Sequence, residues 1–193
     1  MRYSRISGEG TSEYRYGPRR ALNELKALAC QTESTLFPIL FRPYFEELLQ
    51  AIKARINGDL AIPDMPLCYV ATHGEGTAAV VSLLYASLCS RRGNVALRVE
   101  ENKDHVCLYM ELGEGGKDLL AEKEEDSLLA LLRSVAKNSG ISLSVTADKP
   151  SWLCLRFERY MSVVQVTHSG SEFCHFAAED LSRYLSLVPR ISF

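Results

Sequence analysis

Residues 94–112 read NVALRVEENKDHVCLYMEL, and their spacing decides the topology. NVALRVEE (94–101) and HVCLYMEL (105–112) both look like strands, and only Asn102-Lys103-Asp104 separates them. A gap that short closes an antiparallel hairpin, whereas a parallel neighbour needs a crossover of about a dozen residues or more. Upstream, LCYVAT (67–72) reads as a strand and Gly74-Glu75-Gly76 as a turn. Thr77 then caps a helix that runs to Arg91-Arg92, with Gly93 just past its end. Downstream, GEGGKDLLAEKEED (113–126) is a glycine-rich, then acidic loop. A helix follows, capped by Asp126 or Ser127 and ended by Gly140, burying Leu128, Leu129, Leu131, Leu132 and Val135. ISLSVTA (141–147) and WLCLRFE (152–158) form a second hairpin across Asp148-Lys149-Pro150-Ser151. The tail offers a strand, SVVQVTH (162–168), and an amphipathic helix from about Glu172 to Leu185. The order implies an α+β fold, a two-layer sandwich of a mixed sheet with helices on one face.

Residues 1–18 are polar, with Arg2, Arg5 and Arg15, and read as an arm. Pro18 suits the first turn of a helix in which Leu22, Leu25 and Ala29 recur at helical spacing. The two prolines of TLFPILFRPYF (35–45) read as a break between helices. Pro43 opens a second helix, whose stripe of Tyr44, Phe45, Leu48, Leu49, Ile52 and Ile56 ends at Asn57-Gly58. GDLAIPDMP (58–66) then reads as a linker. The expected division is therefore an arm and helical pair at 1–58, available for dimerisation, and a second unit at 59–193.

Composition narrows the function. The 193 residues carry 22 Lys and Arg against 24 Asp and Glu, a net charge of −2, so no global field draws nucleic acid or an anionic membrane. The apolar run 77–89 is well short of the roughly 20 residues that span a bilayer. Without an N-terminal apolar stretch, a cytoplasmic location is expected. The six cysteines, Cys30, Cys68, Cys89, Cys107, Cys154 and Cys174, are spread singly and read as buried thiols. His105-x-Cys107 puts two ligand types on one strand face, but no second pair completes a metal site.

From residue 67 to 158 the order strand, helix, hairpin, glycine-rich loop, helix, hairpin resembles the ATP-binding domain of histidine kinases, the Bergerat-fold ATPases. In that family an asparagine motif on the first helix helps hold the Mg²⁺ that bridges the ATP phosphates. The matching stretch SLLYAS (82–87) has Ser82 and Ala86 at the asparagine positions, and alanine offers no oxygen to a hard cation. The family's Asp-x-Gly-x-Gly turn, whose aspartate accepts from the adenine amino group, is echoed by Glu111-Leu112-Gly113-Glu114-Gly115. Its glycine pair at the second helix has no counterpart in EDSLLALL (125–132). Glu111 to Asp126 holds seven acids and two lysines, a local −5 that opposes a triphosphate. No histidine precedes His73, so the usual phosphoacceptor is missing from the helical pair.

The resemblance therefore implies a degenerate ATPase domain acting as a regulatory or scaffold module in signal transduction. Its vestigial nucleotide pocket is expected at Glu111, Gly113, Gly115 and Ser82. No catalytic residue, no metal and no cofactor are expected, with ATP or ADP at most weakly held. Partners are expected to be a protein or a second copy, a homodimer, through the N-terminal helices. One alternative is a divergent relative of the sensor kinases that still binds ATP. Another is a dinucleotide-binding, Rossmann-like protein, because Gly74-Glu75-Gly76-Thr77-Ala78-Ala79 fits G-x-G-x-x-[GA], with Glu100-Glu101 some twenty residues on. The tight hairpin at 102–104 opposes that reading, since a Rossmann sheet needs another crossover there. Gly116-Lys117-Asp118 lacks the spacing of a P-loop, and His168-Ser169-Gly170-Ser171 lacks a nucleophile elbow. A plain interaction protein whose old pocket is filled by side chains completes the set.

Overall fold

The structure, a computed structural model, describes residues 18–31, 36–56, 60–92, 94–113, 128–147 and 150–161, together with Leu181, Tyr184, Leu185 and Leu187. The elements run α1 (Pro18–Cys30), β1 (Phe37–Leu40), α2 (Phe41–Lys53), β2 (Tyr69–Thr72), α3 (Gly74–Arg92), β3 (Leu97–Glu101), β4 (His105–Gly113), α4 (Leu128–Asn138), β5 (Ile141–Val145) and β6 (Ser151–Glu158). The fold is α+β in two layers, as the element order implies. Both expected hairpins form, and β4 and β6 join them edge to edge in the order β3-β4-β6-β5, every neighbour antiparallel.

The segment that reads as a break at 35–45 is instead a strand running straight into a helix. β1 pairs antiparallel with β2, matching Phe37 to Thr72 and Leu40 to Tyr69. Pro38 is tolerated because β1 is an edge strand. The β1–β2 pair extends the larger sheet through Val70 and Arg159, where the Tyr160 N–H donates to the Tyr69 carbonyl at 2.9 Å.

The helices supply the second layer. α3 is apolar on every side, and every residue from Gly76 to Cys89 is buried, as befits a central helix. α2 is amphipathic and turns Phe41, Tyr44, Phe45, Leu48, Leu49 and Ile52 inward. Its aromatics meet the sheet: Phe45 stands 5.2 Å edge-on from Phe157 of β6, and Phe41 stands 5.8 Å from the same ring. Burying such a side chain is worth about 1.5–3 kcal/mol, so α2 belongs to the same core as the sheet.

α1 lies along α4 and buries Ala21, Leu25 and Leu28. Asn138 at the end of α4 donates its side-chain amide to the Leu28 carbonyl (3.1 Å) and the Ala29 carbonyl (2.8 Å). Those carbonyls end α1 and have no partner within the helix, so Asn138 closes it from outside. Both N-terminal helices thus use their apolar faces inside this chain, α1 on α4 and α2 on α3 and the sheet. α4 ends as the sequence implies, with Gly140 at φ 74°, a left-handed position that suits glycine.

The expected arm, the loop from Glu114, the caps Gly93, Asp126 and Ser127, and the strand 162–168 lie outside the described residues. Of the expected C-terminal helix, Leu181, Tyr184 and Leu185 are helical, and Leu181, Tyr184 and Leu187 are completely buried. Among the described residues no helix is long and apolar enough to cross a membrane.

Candidate functional site

The β2–α3 turn carries the local match to a dinucleotide loop, and its geometry is closed. α3 begins at Gly74 rather than after Thr77, and His73 does the capping: its Nδ1 accepts the Gly76 N–H at 3.2 Å. Thr77 is buried, with its hydroxyl 2.6 Å from that of Thr72. Thr72 in turn donates to the Ser139 carbonyl at 2.5 Å. A carbonyl only accepts, so the single Thr72 proton goes to Ser139 and Thr77 donates to Thr72. Tyr44 donates to the Gly74 carbonyl (2.6 Å), and Tyr184 donates to Glu75 Oε1 (3.0 Å).

Gly76 is glycine for reasons of space, since a β-carbon there would fall on the Ser139 hydroxyl. A pyrophosphate needs the first N–H groups of the helix and close backbone approach. Here one of those N–H groups is bonded to His73, and Ser139 stands against the glycine. The flanking strands are wrong as well: β2 bonds to β1 and to the end of β6, and β3 bonds to β4. A Rossmann unit would pair β2 and β3 in parallel. The dinucleotide alternative at Gly74-Glu75-Gly76 is therefore corrected: this turn is a packing joint between α3 and the α4–β5 turn.

The stretch that resembles the family's asparagine motif lies in the middle of α3. Ser82 is fully buried and donates to the Ala79 carbonyl at 3.2 Å. Ala86, one turn on, presents a methyl group, and Tyr85 and Cys89 are bonded side chain to side chain. Burial raises the Tyr85 phenol and, foremost among its influences, the Cys89 thiol above their ordinary values, so both stay neutral. These four positions, at helical spacing, offer one hydroxyl already bonded to its own helix, one methyl and one self-paired couple. Sequence reading passed over the Tyr85–Cys89 pair, although its i, i+4 spacing was visible.

Glu111 and Gly113 stand at the end of β4. Alternation along β4 buries Val106, Leu108, Met110 and Leu112 toward the helices, so Cys107, Tyr109 and Glu111 face the other way. Glu111 is half-buried opposite Trp152, its N–H donating to the Ala96 carbonyl at 3.0 Å, and the register slips between it and Gly113. Glu111 and Ser82 are consequently on opposite sides of the sheet. Gly115 lies outside the described residues. Aspartate and glutamate differ by a methylene, but here the face of the strand, rather than the length of the side chain, separates the carboxylate from α3.

No family model matches the chain, and no curated protein matches it in sequence. Solved structures do match in shape. The Acinetobacter baumannii histidine kinase AdeS aligns with a TM-score of 0.50 at 16% identity, covering 75% of this chain and 76% of that one. The ATP binding domain of PrrB from Mycobacterium tuberculosis aligns with a TM-score of 0.50 at 18% identity, covering 65% of this chain and 98% of that one. The chain has a histidine-kinase-like ATPase fold. In that fold the PrrB alignment takes in almost the whole of a kinase ATP-binding domain. The likeness at such low identity is one of backbone, and it leaves the residues of the pocket to be judged on their own chemistry.

Proposed function

We propose that this chain is a histidine-kinase-like ATPase domain that has lost catalysis and serves as a regulatory or scaffold module in signal transduction. The observation that carries the reading is one face of α3: Ser82 is bonded to its own helix, Tyr85 and Cys89 to each other, and Ala86 has no polar atom, while Ser87, whose buried hydroxyl has no partner, lies about 100° further round the helix than Ala86. A Mg²⁺ ion takes oxygen ligands in octahedral geometry, usually carboxylates and water, and this face presents none that is free. Glu111, the candidate adenine acceptor, lies across the sheet from it. The acidic run from Glu111 to Asp126 adds charge of the same sign as a triphosphate.

With its apolar side spent on α4, α1 keeps Arg19, Arg20, Asn23 and Lys26 exposed. We place the partner contact, with another protein or a second copy, on this outer face of the N-terminal region 1–58. Sedimentation equilibrium reads a homodimer directly. Removing residues 1–58 is a poor test, because Phe41 and Phe45 would leave the core; reversing charge at the exposed Arg19 and Lys26 leaves the Arg20–Glu24 pair of α1 (3.1 Å) in place.

The test of lost catalysis is calorimetric titration of the full chain with ATP and ADP in the presence of Mg²⁺. No saturable heat is expected. Micromolar binding that depends on Mg²⁺ would overturn the proposal and favour a divergent kinase relative that still binds nucleotide.

A further inference from the structure

On the sheet face turned away from α3 and α4, two thiols of neighbouring strands meet. The register pairs Cys107 of β4 with Arg156 of β6 and Tyr109 with Cys154, so the two cysteines are diagonal neighbours on one face. Both are free thiols and both are buried, although no core cluster of the helical side includes them. Their side chains are hydrogen-bonded to each other, and Cys154 is also bonded to the hydroxyls of Ser144 and Tyr109. Two guanidinium groups border the pair: Arg156 stands directly across from Cys107, and Arg98 lies over the Tyr109 ring at 4.6 Å and the Trp152 ring at 5.0 Å.

Diagonal positions in an antiparallel pair have Cα atoms about 7–8 Å apart. A disulfide prefers about 5.5–6 Å and cannot form beyond about 7 Å without backbone movement. An ion placed between the sulfurs spans the longer gap. Among the described residues no three histidine, cysteine or acidic side chains come together to hold a metal, which removes the tetrahedral set that zinc requires. His105, the next residue along the same face, has its Nε2 engaged by the Asn102 amide at 3.1 Å. Two sulfurs without a third ligand suit a soft ion that accepts linear coordination.

We propose that Cys107 and Cys154 form a two-thiolate site for a soft monovalent metal ion of the Cu(I) class. Burial pushes the Cys154 thiol up to about 12, so its proton stays until the metal displaces it; on binding, two S–H bonds break, two metal–sulfur bonds form, and both protons leave to solvent, so no oxidant or reductant is involved. The product carries one net negative charge beside Arg156 and Arg98, which are already paired with Glu158 (2.9 Å) and Glu100 (3.4 Å), so each guanidinium is shared between its glutamate and the site.

The experiment uses the full, reduced chain under anaerobic conditions, titrated with Cu(I) against a chromophoric Cu(I) chelator. One equivalent is expected to be withheld from the chelator. Cys107→Ser and Cys154→Ser are each expected to lose it, and Cys30→Ser, at an exposed thiol, is expected to keep it. Retention in both single variants would overturn the proposal, as would failure of the unsubstituted chain to withhold the ion. X-ray absorption on the unsubstituted, loaded protein guards against variants that fail to fold: a shell of two sulfurs is expected, and one dominated by nitrogen or oxygen would overturn the site.

Discussion

The hydroxyl of Ser139 stands where a β-carbon on Gly76 would have to go, and this contact ties the start of α3 to the α4–β5 turn. A phosphate-binding loop and a close-packed helix joint use the same small residues, so the contact decides between them. On helix propensity alone, replacing glycine by alanine within a helix stabilises by about 1 kcal/mol. Overpacking a filled site costs about 1–3 kcal/mol. Gly76→Ala is therefore expected to destabilise, read as a lower urea midpoint, and Ser139→Gly in the same chain should restore most of the loss. A stabilised single variant would show that the joint is loose.

The Thr77–Thr72–Ser139 relay is buried throughout. Thr72→Val leaves the Thr77 hydroxyl without its acceptor and takes one of two donors from the Ser139 carbonyl, which keeps the His73 N–H at 3.3 Å, at an expected cost of about 1–3 kcal/mol. Adding Thr77→Val removes the orphaned donor, so the double variant should lose less than the sum of the two single ones. Denaturant unfolding of the four proteins completes the cycle, and strict additivity would rule out the relay.

Asn138 holds the end of α1 without belonging to it. Asn138→Ala is expected to fray α1, raising amide exchange in its last turn while the β4–β6 ladder keeps its protection. Global stability should fall by about 1–2 kcal/mol, since two carbonyl bonds are lost. Uniform acceleration across sheet and helix would mean that α1 and the sheet unfold together.

Alkaline stability follows from Tyr85 and Cys89. Burial raises both groups in the folded chain above the ordinary values of 10.0 and 9.0, so the unfolded chain loses these protons first. The folded state then binds more protons than the unfolded one, and stability falls as pH rises. The contribution is complete below about pH 9 and declines above it, at about 1.4 kcal/mol per pH unit for each group within its window. Urea midpoints from pH 8 to 10.5 should fall more steeply for the parent than for a Tyr85→Phe/Cys89→Ala double variant. Equal slopes would contradict the rise that burial gives these two groups.

The legible part of this fold is local. Three residues at 102–104 and a short turn at 148–151 sufficed to specify two hairpins, and Gly140 marked the end of α4. β1 was hidden because its pairing is with β2, distant in sequence, and because Pro38 and Pro43 suggested a break. The candidate site was legible as a resemblance, with Ser82 and Ala86 at the family's asparagine positions and Glu111 at its aspartate position. Its geometry was not, because the side of the sheet that Glu111 faces depends on the phase of β4 relative to the core.

The sequence by itself determined the order of elements, the antiparallel hairpins and which side chains stand at positions 82, 86 and 111, because turn length and side-chain chemistry are local properties. Only the tertiary structure decided that β4 and β6 are neighbours, that α2 joins the sheet core through Phe41 and Phe45, and that Gly76 faces Ser139 instead of a phosphate. Those outcomes depend on which distant surfaces exclude water from one another, and a glycine or a carboxylate carries no local mark of what will be packed against it.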